Sequence, residues 1–300
     1  MTMSKKQKET AKTVGLWIFY VAVAIFLFFP FYYMVSRSIM VPERTAERPI
    51  IVFPAFRDLS LELWNMILSG KGPTGEILDD NYFAYLLNSL KIVGFNIVAV
   101  PASASFVAFG FAKCDFTGKK TLFAIMLATI LLPGTIVQIP LYVQYKNLGM
   151  LNTYLPLMLP NLFGGGAMTV FLINQFMRGI PRELDEAAEI DGASAFRRYW
   201  QIVLPNCTSV LIFIIIGAFV GNWGDFYGPM IYMTADSKEK YTLAYAVFKN
   251  FSNTGNAYVS PTVEGMRSAV GTLMSIPPLI LFFCFQRNMV EGIVMTGIKG

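Results

Sequence analysis

Residues 178–205 read RGIPRELDEAAEIDGASAFRRYWQIVLP. Proline at 181 suits the first position of a helix, because its fixed φ is already helical and its missing N–H is not needed there. Leu184, Ala187, Ala188 and Asp191 follow helical spacing, with Glu183, Glu186 and Glu189 around the rest. Asp191-Gly192 reads as a turn, with Gly192 free to take the left-handed conformation. Phe196, Tyr199, Trp200 and Val203 then form an apolar stripe beside Arg197 and Arg198. The stretch therefore predicts two short helices around a turn. A structured, amphipathic loop is built to dock on something. Lying on a lipid surface would suit the second half, but anionic lipid would repel the acidic first half.

What flanks this island is apolar on both sides. Crossing a hydrocarbon core takes about 20 apolar residues per helix. Uncharged runs of that kind occur at 14–34, 92–112, 121–143, 153–177, 202–224 and 268–286. The fifth helix is expected to start near Cys207 and to continue past Asp225 to about Met233. The fold class predicted is an all-α integral membrane protein, six transmembrane helices in a polytopic bundle. Of 300 residues, 55% are hydrophobic and only 14% charged, and mean hydropathy is +0.52. A soluble protein carries about 25% charged residues.

Lysine and arginine in the short loops set the orientation. With the N-terminus cytoplasmic, that side holds Lys5, Lys6, Lys8, Lys12, Lys113, Lys119, Lys120, Arg178, Arg182, Arg197, Arg198, Arg287 and Lys299, more than half of the 24. Both termini are then cytoplasmic. The organisation expected is a cytoplasmic segment 1–13, a first crossing 14–36 and an extracytoplasmic loop 37–82. A core 83–290 follows, with the cytoplasmic loop 178–206 and an outer loop 234–262, and then a cytoplasmic tail 291–300. The first crossing is too long for a signal-peptide core of about 7–15 residues, and no small-x-small site follows it, so it is read as a retained anchor. The outer loop 37–82 carries Pro42, Pro49 and Pro54 and an amphipathic stretch 59–68, and reads as a small folded cap.

Histidine is absent, which removes Ser-His-Asp and Cys-His catalysis and His-ligated metals. Cys114, Cys207 and Cys284 are far apart and make no metal or disulfide pattern. The phosphate-binding pattern G-x4-G-K-[ST] is missing: Gly118-Lys119-Lys120-Thr121 lacks its first glycine and the hydroxyl directly after Gly-Lys.

Within the fifth run, Gly217, Gly221, Gly224 and Gly228 lie on one face and predict close packing against a neighbour. Prolines 133, 140, 156, 160, 277 and 278 free backbone carbonyls, which neighbours or water in a cavity must satisfy. Two carboxylates stand in or at the edge of spans. Glu264 and Arg267, at i and i+3, are expected to form a structural ion pair. Asp225 sits in the run Gly221-Asn222-Trp223-Gly224-Asp225-Phe226-Tyr227. Asn222, Trp223, Asp225 and Tyr227 form a candidate substrate-pathway cluster, with hydroxyls going to the amide and carboxylate and sugar faces to the rings. The same residues also fit an interfacial aromatic belt, with Asp225 simply reaching water.

The island holds a further pattern. Glu186-Ala187-Ala188, three residues, Gly192, nine residues and Ile202-x-Leu204-Pro205 resembles the EAA signature of ABC-importer permease subunits at every fixed position. Ile180-Pro181-x-Glu183-Leu184, Ile190-Asp191-Gly192-Ala193-Ser194, Gln138-Ile139-Pro140-Leu141-Tyr142, the run 148–153 and the C-terminal Gly292-x4-Gly297-x-Lys299-Gly300 are similar to the carbohydrate, maltose-permease-like branch. The resemblance implies a bacterial plasma (inner) membrane permease for a sugar, working with an extracytoplasmic solute-binding protein. It implies a second permease in a heterodimer and two cytoplasmic ATPases that use ATP and Mg. By the same resemblance this chain binds no cofactor, no metal and no nucleic acid, has no catalytic residue, and touches only protein, sugar and membrane lipid. Glu186, Ala187, Ala188, Asp191, Gly192 and Ser194 would couple to the ATPase, and the tail residues Gly297, Lys299 and Gly300 would contact it. The outer loop 234–261 would engage the binding protein.

Two alternatives remain. One is an ABC permease for a non-sugar solute such as a polyol or glycerol phosphate. The other is an ion-coupled secondary transporter using Asp225 and Glu264, which leaves the EAA spacing unexplained and lacks an inverted repeat.

Overall fold

The computed structural model describes residues 5–45, 51–72, 75, 78–252 and 261–297. It is helical apart from isolated bridge residues, among them an antiparallel bridge between Met40 and Leu59. Four helical stretches are long and apolar enough to cross a membrane: Lys12–Ser38, Tyr82–Lys113, Leu155–Arg178 and Thr262–Gln286. Two bent pairs raise this to six if each counts as one crossing: Lys119–Thr129 with Gly134–Asn147, bent by 99°, and Ala195–Asn206 with Thr208–Trp223, bent by 80°.

The chain divides into two compact units, Met1–Phe83 with Phe251–Ile276, and Ala84–Asn250 with Pro277–Gly300. The first contains α1 (Lys5–Ser38), α2 (Glu62–Ser69) and the first part of the last helix. Around α2 the backbone is tied by Val41 N–H to Asp58 O (2.9 Å) and Ser60 N–H to Ile39 O (2.8 Å). Arg44 pairs with the buried Asp58, whose other oxygen accepts Ala55 N–H at 3.0 Å. Leu63 and Ile67 of α2 are fully buried. The last helix approaches this segment so closely at Gly265 that a Cβ there would lie 2.7 Å from Leu63. Glu264 and Arg267 form the expected pair at 3.3 Å.

The second unit is built on α3 (Tyr82–Lys113). It continues through α4 (Lys119–Thr129), α5 (Gly134–Asn147), a short α6 (Leu155–Met158) and a 3₁₀ turn, Leu159–Phe163. Then come α7 (Ala167–Arg178), α8 (Arg182–Ile190), α9 (Ala195–Arg198), α10 (Leu204–Asn206) and α11 (Thr208–Trp223), followed by α12 (Tyr227–Tyr232), α13 (Leu243–Phe251) and the part of α14 (Pro261–Gly297) from Pro277 on. One core joins α3, α7 and the 199–214 region: Ala104 and Ala108 lie against Ile173, Met177, Val203 and Cys207, all fully buried. Alanine one turn apart on α3 lets the other helices come close.

Polar side chains recur every seven residues along α3, at Ser89, Asn96 and Ser103, and each meets backbone that a broken helix has left unpaired. The Ser89 hydroxyl accepts the first N–H of α13, from Leu243, at 2.8 Å. Asn96, fully buried, donates to Leu157 O at 3.0 Å and also to the Asn222 side chain. Ser103 donates to Asn161 O (2.9 Å) and accepts Gly164 N–H (3.1 Å). The fourth apolar run is broken there because Gly164, Gly165 and Gly166 all have positive φ, at 96°, 59° and 102°, a sequence of conformations only glycine adopts at low cost. At membrane depth such backbone must be buried in protein or line a wet cavity, and α3 supplies the first solution.

Candidate functional site

The segment quoted first folds as two helices around a turn. Helix α8 begins at Arg182 after Pro181, one residue later than expected. Asp191 N–H and Gly192 N–H close the helix, onto Ala187 O and Glu189 O at 3.1 and 3.0 Å, and Gly192 has φ +77°. Ser194 caps α9, its hydroxyl accepting Arg197 N–H at 3.3 Å. Glu189 bonds Arg198 at 2.8 Å, holding the two helices together.

The inner side of this hairpin is fixed to α3 at two places. Asp185 forms an ion pair with Lys113 at 2.7 Å, with both side chains largely buried, and Lys113 also donates to Ile180 O at 3.1 Å. Lower down, the buried Tyr199 hydroxyl bonds Ser105 at 2.9 Å, with its ring against Phe106 and Phe109. Sequence reasoning missed Lys113, Asp185, Ser105 and Tyr199 as a set. The partners in each pair stand far apart in sequence, Ser105 from Tyr199 and Lys113 from Asp185, so no local spacing marked them.

The outer side is open. Glu183, Glu186, Ala187, Asp191 and Gly192 are exposed. Leu184, Ile190, Phe196 and Trp200 are exposed too, Ile190 at 87% and Phe196 at 66%. The expected single stripe from Phe196 to Val203 is therefore divided, with Tyr199 and Val203 facing the core and Phe196 and Trp200 facing out. The cause is a π-helical turn at Tyr199–Val203, whose extra residue shifts the register of everything before it.

The four residues of the substrate-pathway cluster do not converge. Helix α11 stops at Trp223 instead of running to Met233. The Asp225 carboxylate accepts Tyr227 N–H and Gly228 N–H at 3.0 and 2.9 Å, capping the start of a new helix, α12. Asn222 is used inside the fold, donating to Ala218 O at 2.7 Å and accepting from Asn96. Trp223 is buried and stacked on Phe219. Asn222 and Asp225 are half-buried, and Tyr227 is exposed and lines a cavity of about 930 Å³. The glycine face also differs from expectation within the chain: a Cβ at Gly217 or Gly221 would meet nothing, whereas at Gly228 it would meet Asp225 at 2.5 Å and Leu157 at 2.8 Å. Of the tail residues, Gly297 ends α14, and Lys299 and Gly300 lie outside the described residues.

Several apolar helices long enough to cross a membrane, joined by a hairpin fixed to α3, define a polytopic membrane protein. The chain belongs to the family described as binding-protein-dependent transport system inner membrane component, whose model matches residues 13–294. It is 31% identical over 219 residues to the galactooligosaccharides transport system permease protein GanQ of Bacillus subtilis, covering 73% of this chain and 75% of that one. It is 25% identical over 287 residues to the arabinooligosaccharides transport system permease protein AraQ of the same organism, covering 96% of both. A solved bacterial ABC transporter involved in the import of the acidic polysaccharide alginate has the same fold, with a TM-score of 0.74 over 96% of this chain and 99% of that one at 19% identity.

Proposed function

We propose that the chain is the permease subunit of an ATP-binding-cassette importer in a bacterial plasma membrane, forming half of a pathway for a sugar or oligosaccharide. In this reading it crosses the membrane six times, with both termini cytoplasmic. A second permease completes the pathway, an extracytoplasmic binding protein delivers the sugar, and two separate ATPases, using ATP and Mg, drive it. The relatives named as galactooligosaccharide and arabinooligosaccharide permeases support the substrate class.

The observation that carries the coupling role is the two-sidedness of the α8–α9 hairpin. Its inner side is fixed by Lys113–Asp185 and Ser105–Tyr199, and its outer side presents Ile190, Phe196 and Trp200 among glutamates. A partner with an apolar cleft and a basic rim fits that surface. Glu186 would pair with a cation of the ATPase, Ala187 and Ala188 would allow close approach, and Asp191, Gly192 and Ser194 would hold the turn. Closure of the ATPases would then move the bundle as a rigid body.

The test is purification of the tagged chain in mild detergent, with identification of what stays bound and an ATPase assay on the product. Recovery of an ATPase and a second permease, with hydrolysis stimulated by the binding protein, is expected. A chain that purifies alone and transports in vesicles without ATP would overturn the reading in favour of an ion-coupled transporter.

A further inference from the structure

Among the described residues Asn152 is the single non-glycine residue with positive φ, at 62°. Asparagine enters this left-handed region more readily than most side chains, because its short amide can bond locally. Here the amide is used at long range instead. Its Oδ1 accepts Thr234 N–H at 2.7 Å and the Ser237 hydroxyl at 3.1 Å. The main chain of Asn152 adds two more bonds, its N–H donating to Tyr232 O at 2.9 Å and its carbonyl accepting Lys240 Nζ at 3.0 Å. One residue in the corner between α5 and α6 thus holds the segment 232–240 at four points.

That segment does not fix its own shape. It is a 3₁₀ stretch, Ala235–Lys240, that leaves helical geometry at Ser237, with φ −115° and ψ 31°. Beyond the part held by Asn152, α3 takes over. Asn88 donates to Glu239 O and Tyr241 O at 2.8 and 3.1 Å, and Ser89 accepts Leu243 N–H. The stretch 232–243 is therefore a strap fixed at both ends, with Thr234, Ala235, Asp236 and Glu239 exposed between the fixings. Ser89 and Lys113 stand 24 residues apart on α3, about 36 Å at 1.5 Å per residue, more than the roughly 30 Å of a hydrocarbon core. The strap and the α8–α9 hairpin are attached at opposite ends of that helix, so in the permease reading the strap is extracytoplasmic, on the side from which the solute is delivered.

We infer that Asn152 is a positioning residue for docking of the solute-binding protein. By fixing the strap it offers that protein a finished surface in place of a segment that docking would have to order, and ordering a loop on association weakens binding. The inference rests on the permease reading. It gives Asn152 a part in the affinity for the binding protein and none in the ATP-driven step.

The experiment uses the assembled transporter in lipid nanodiscs and the solute-binding protein captured by crosslinking to the tagged transporter. ATP hydrolysis is followed against the concentration of that protein for the parent, Asn152→Ala, Asn152→Gly and Asn152→Asp. In parallel, with the three native cysteines replaced by alanine, a nitroxide on Asp236→Cys reports motion of the strap before the binding protein is added. Glycine keeps the backbone conformation without strain and so isolates loss of the amide, whereas aspartate keeps the oxygen acceptor and tolerates positive φ. Expected in the alanine and glycine variants are a several-fold rise in the half-saturating concentration, an unchanged rate at saturation and a mobile nitroxide. The aspartate variant should stay near the parent in all three. An unchanged half-saturating concentration in the glycine variant would overturn the inference, as would an immobile nitroxide there. A glycine variant that fails to assemble, or that loses rate at saturation alone, would mark a residue needed only for folding and would also overturn it. A parent transporter that captures no binding protein, or whose hydrolysis does not respond to one, would instead sink the permease reading, and the inference with it.

Discussion

The two breaks in the second unit are handled in opposite ways. At 164–166 the interruption is closed inside the chain: Ser103 bonds both Asn161 O and Gly164 N–H, and Gly165 sits against Val100. At 130–133 no side chain among the described residues makes such a bond; Leu131 and Leu132 N–H bond back to Ala128 O and Thr129 O, and Leu131 is 83% exposed. The hairpin shows the same division between its inner and outer sides. Where the chain closes on itself it satisfies its own backbone, and elsewhere it leaves the surface open. Substitutions on the closed side should therefore cost stability, and those on the open side should cost function alone.

The largest effect is expected at Gly165. A Cβ there would lie 2.6 Å from Val100 Cγ1, at φ +59°, so Gly165→Val should abolish recovery of folded protein from membranes, with Val100→Ala restoring only part of it because the φ remains. Next comes Lys113→Met, which leaves Asp185 buried without its cation. Removing one partner of a buried pair costs about 3–5 kcal/mol, and the thermal unfolding midpoint in detergent should fall sharply. The exchanged pair Lys113→Asp with Asp185→Lys should recover much of it, and no recovery would show that the ion pair itself is not what matters. Ser103→Ala strands an N–H and a carbonyl, a cost of about 1–3 kcal/mol. Leu131→Ala, at the open break, should stay within about 0.5 kcal/mol of the parent. Smallest in stability is Glu186→Lys on the outer face: the same midpoint, but ATP hydrolysis uncoupled from sugar uptake. Normal uptake in that variant, with the ATPase unaltered, would count against the coupling role.

Much of the hairpin was legible because its signals are local. A proline before α8, Asp-Gly at the turn and a serine cap act within four residues of where they stand. The Glu264–Arg267 pair was legible for the same reason. What could not be read was set by distant neighbours. Uniform hydropathy carried the fifth crossing through to Met233, but the chain turns at Gly224 and Asp225 caps α12. The signal was present, an acidic residue just ahead of a helix carrying Pro229, and hydropathy outweighed it. Asn222 read as a ligand group because its partner, Asn96, is 126 residues away. Division of the stripe between Phe196 and Val203 depended on a π turn, which leaves no mark in residue spacing.

The two attachments of the hairpin have a mechanical consequence. Ser105 and Lys113 stand eight residues apart on one helix, about 12 Å at 1.5 Å per residue. A body pinned at one point can swivel in any direction, so a push on it is lost as rotation. Pinned at two separated points on a stiff rod, it can no longer tilt against the rod, and a force that would tilt it reaches the rod as a couple through the two pins. The hairpin is in this sense a lever arm on α3, and the same rod carries, further along, Ser103 and Val100, which close the break at 164–166.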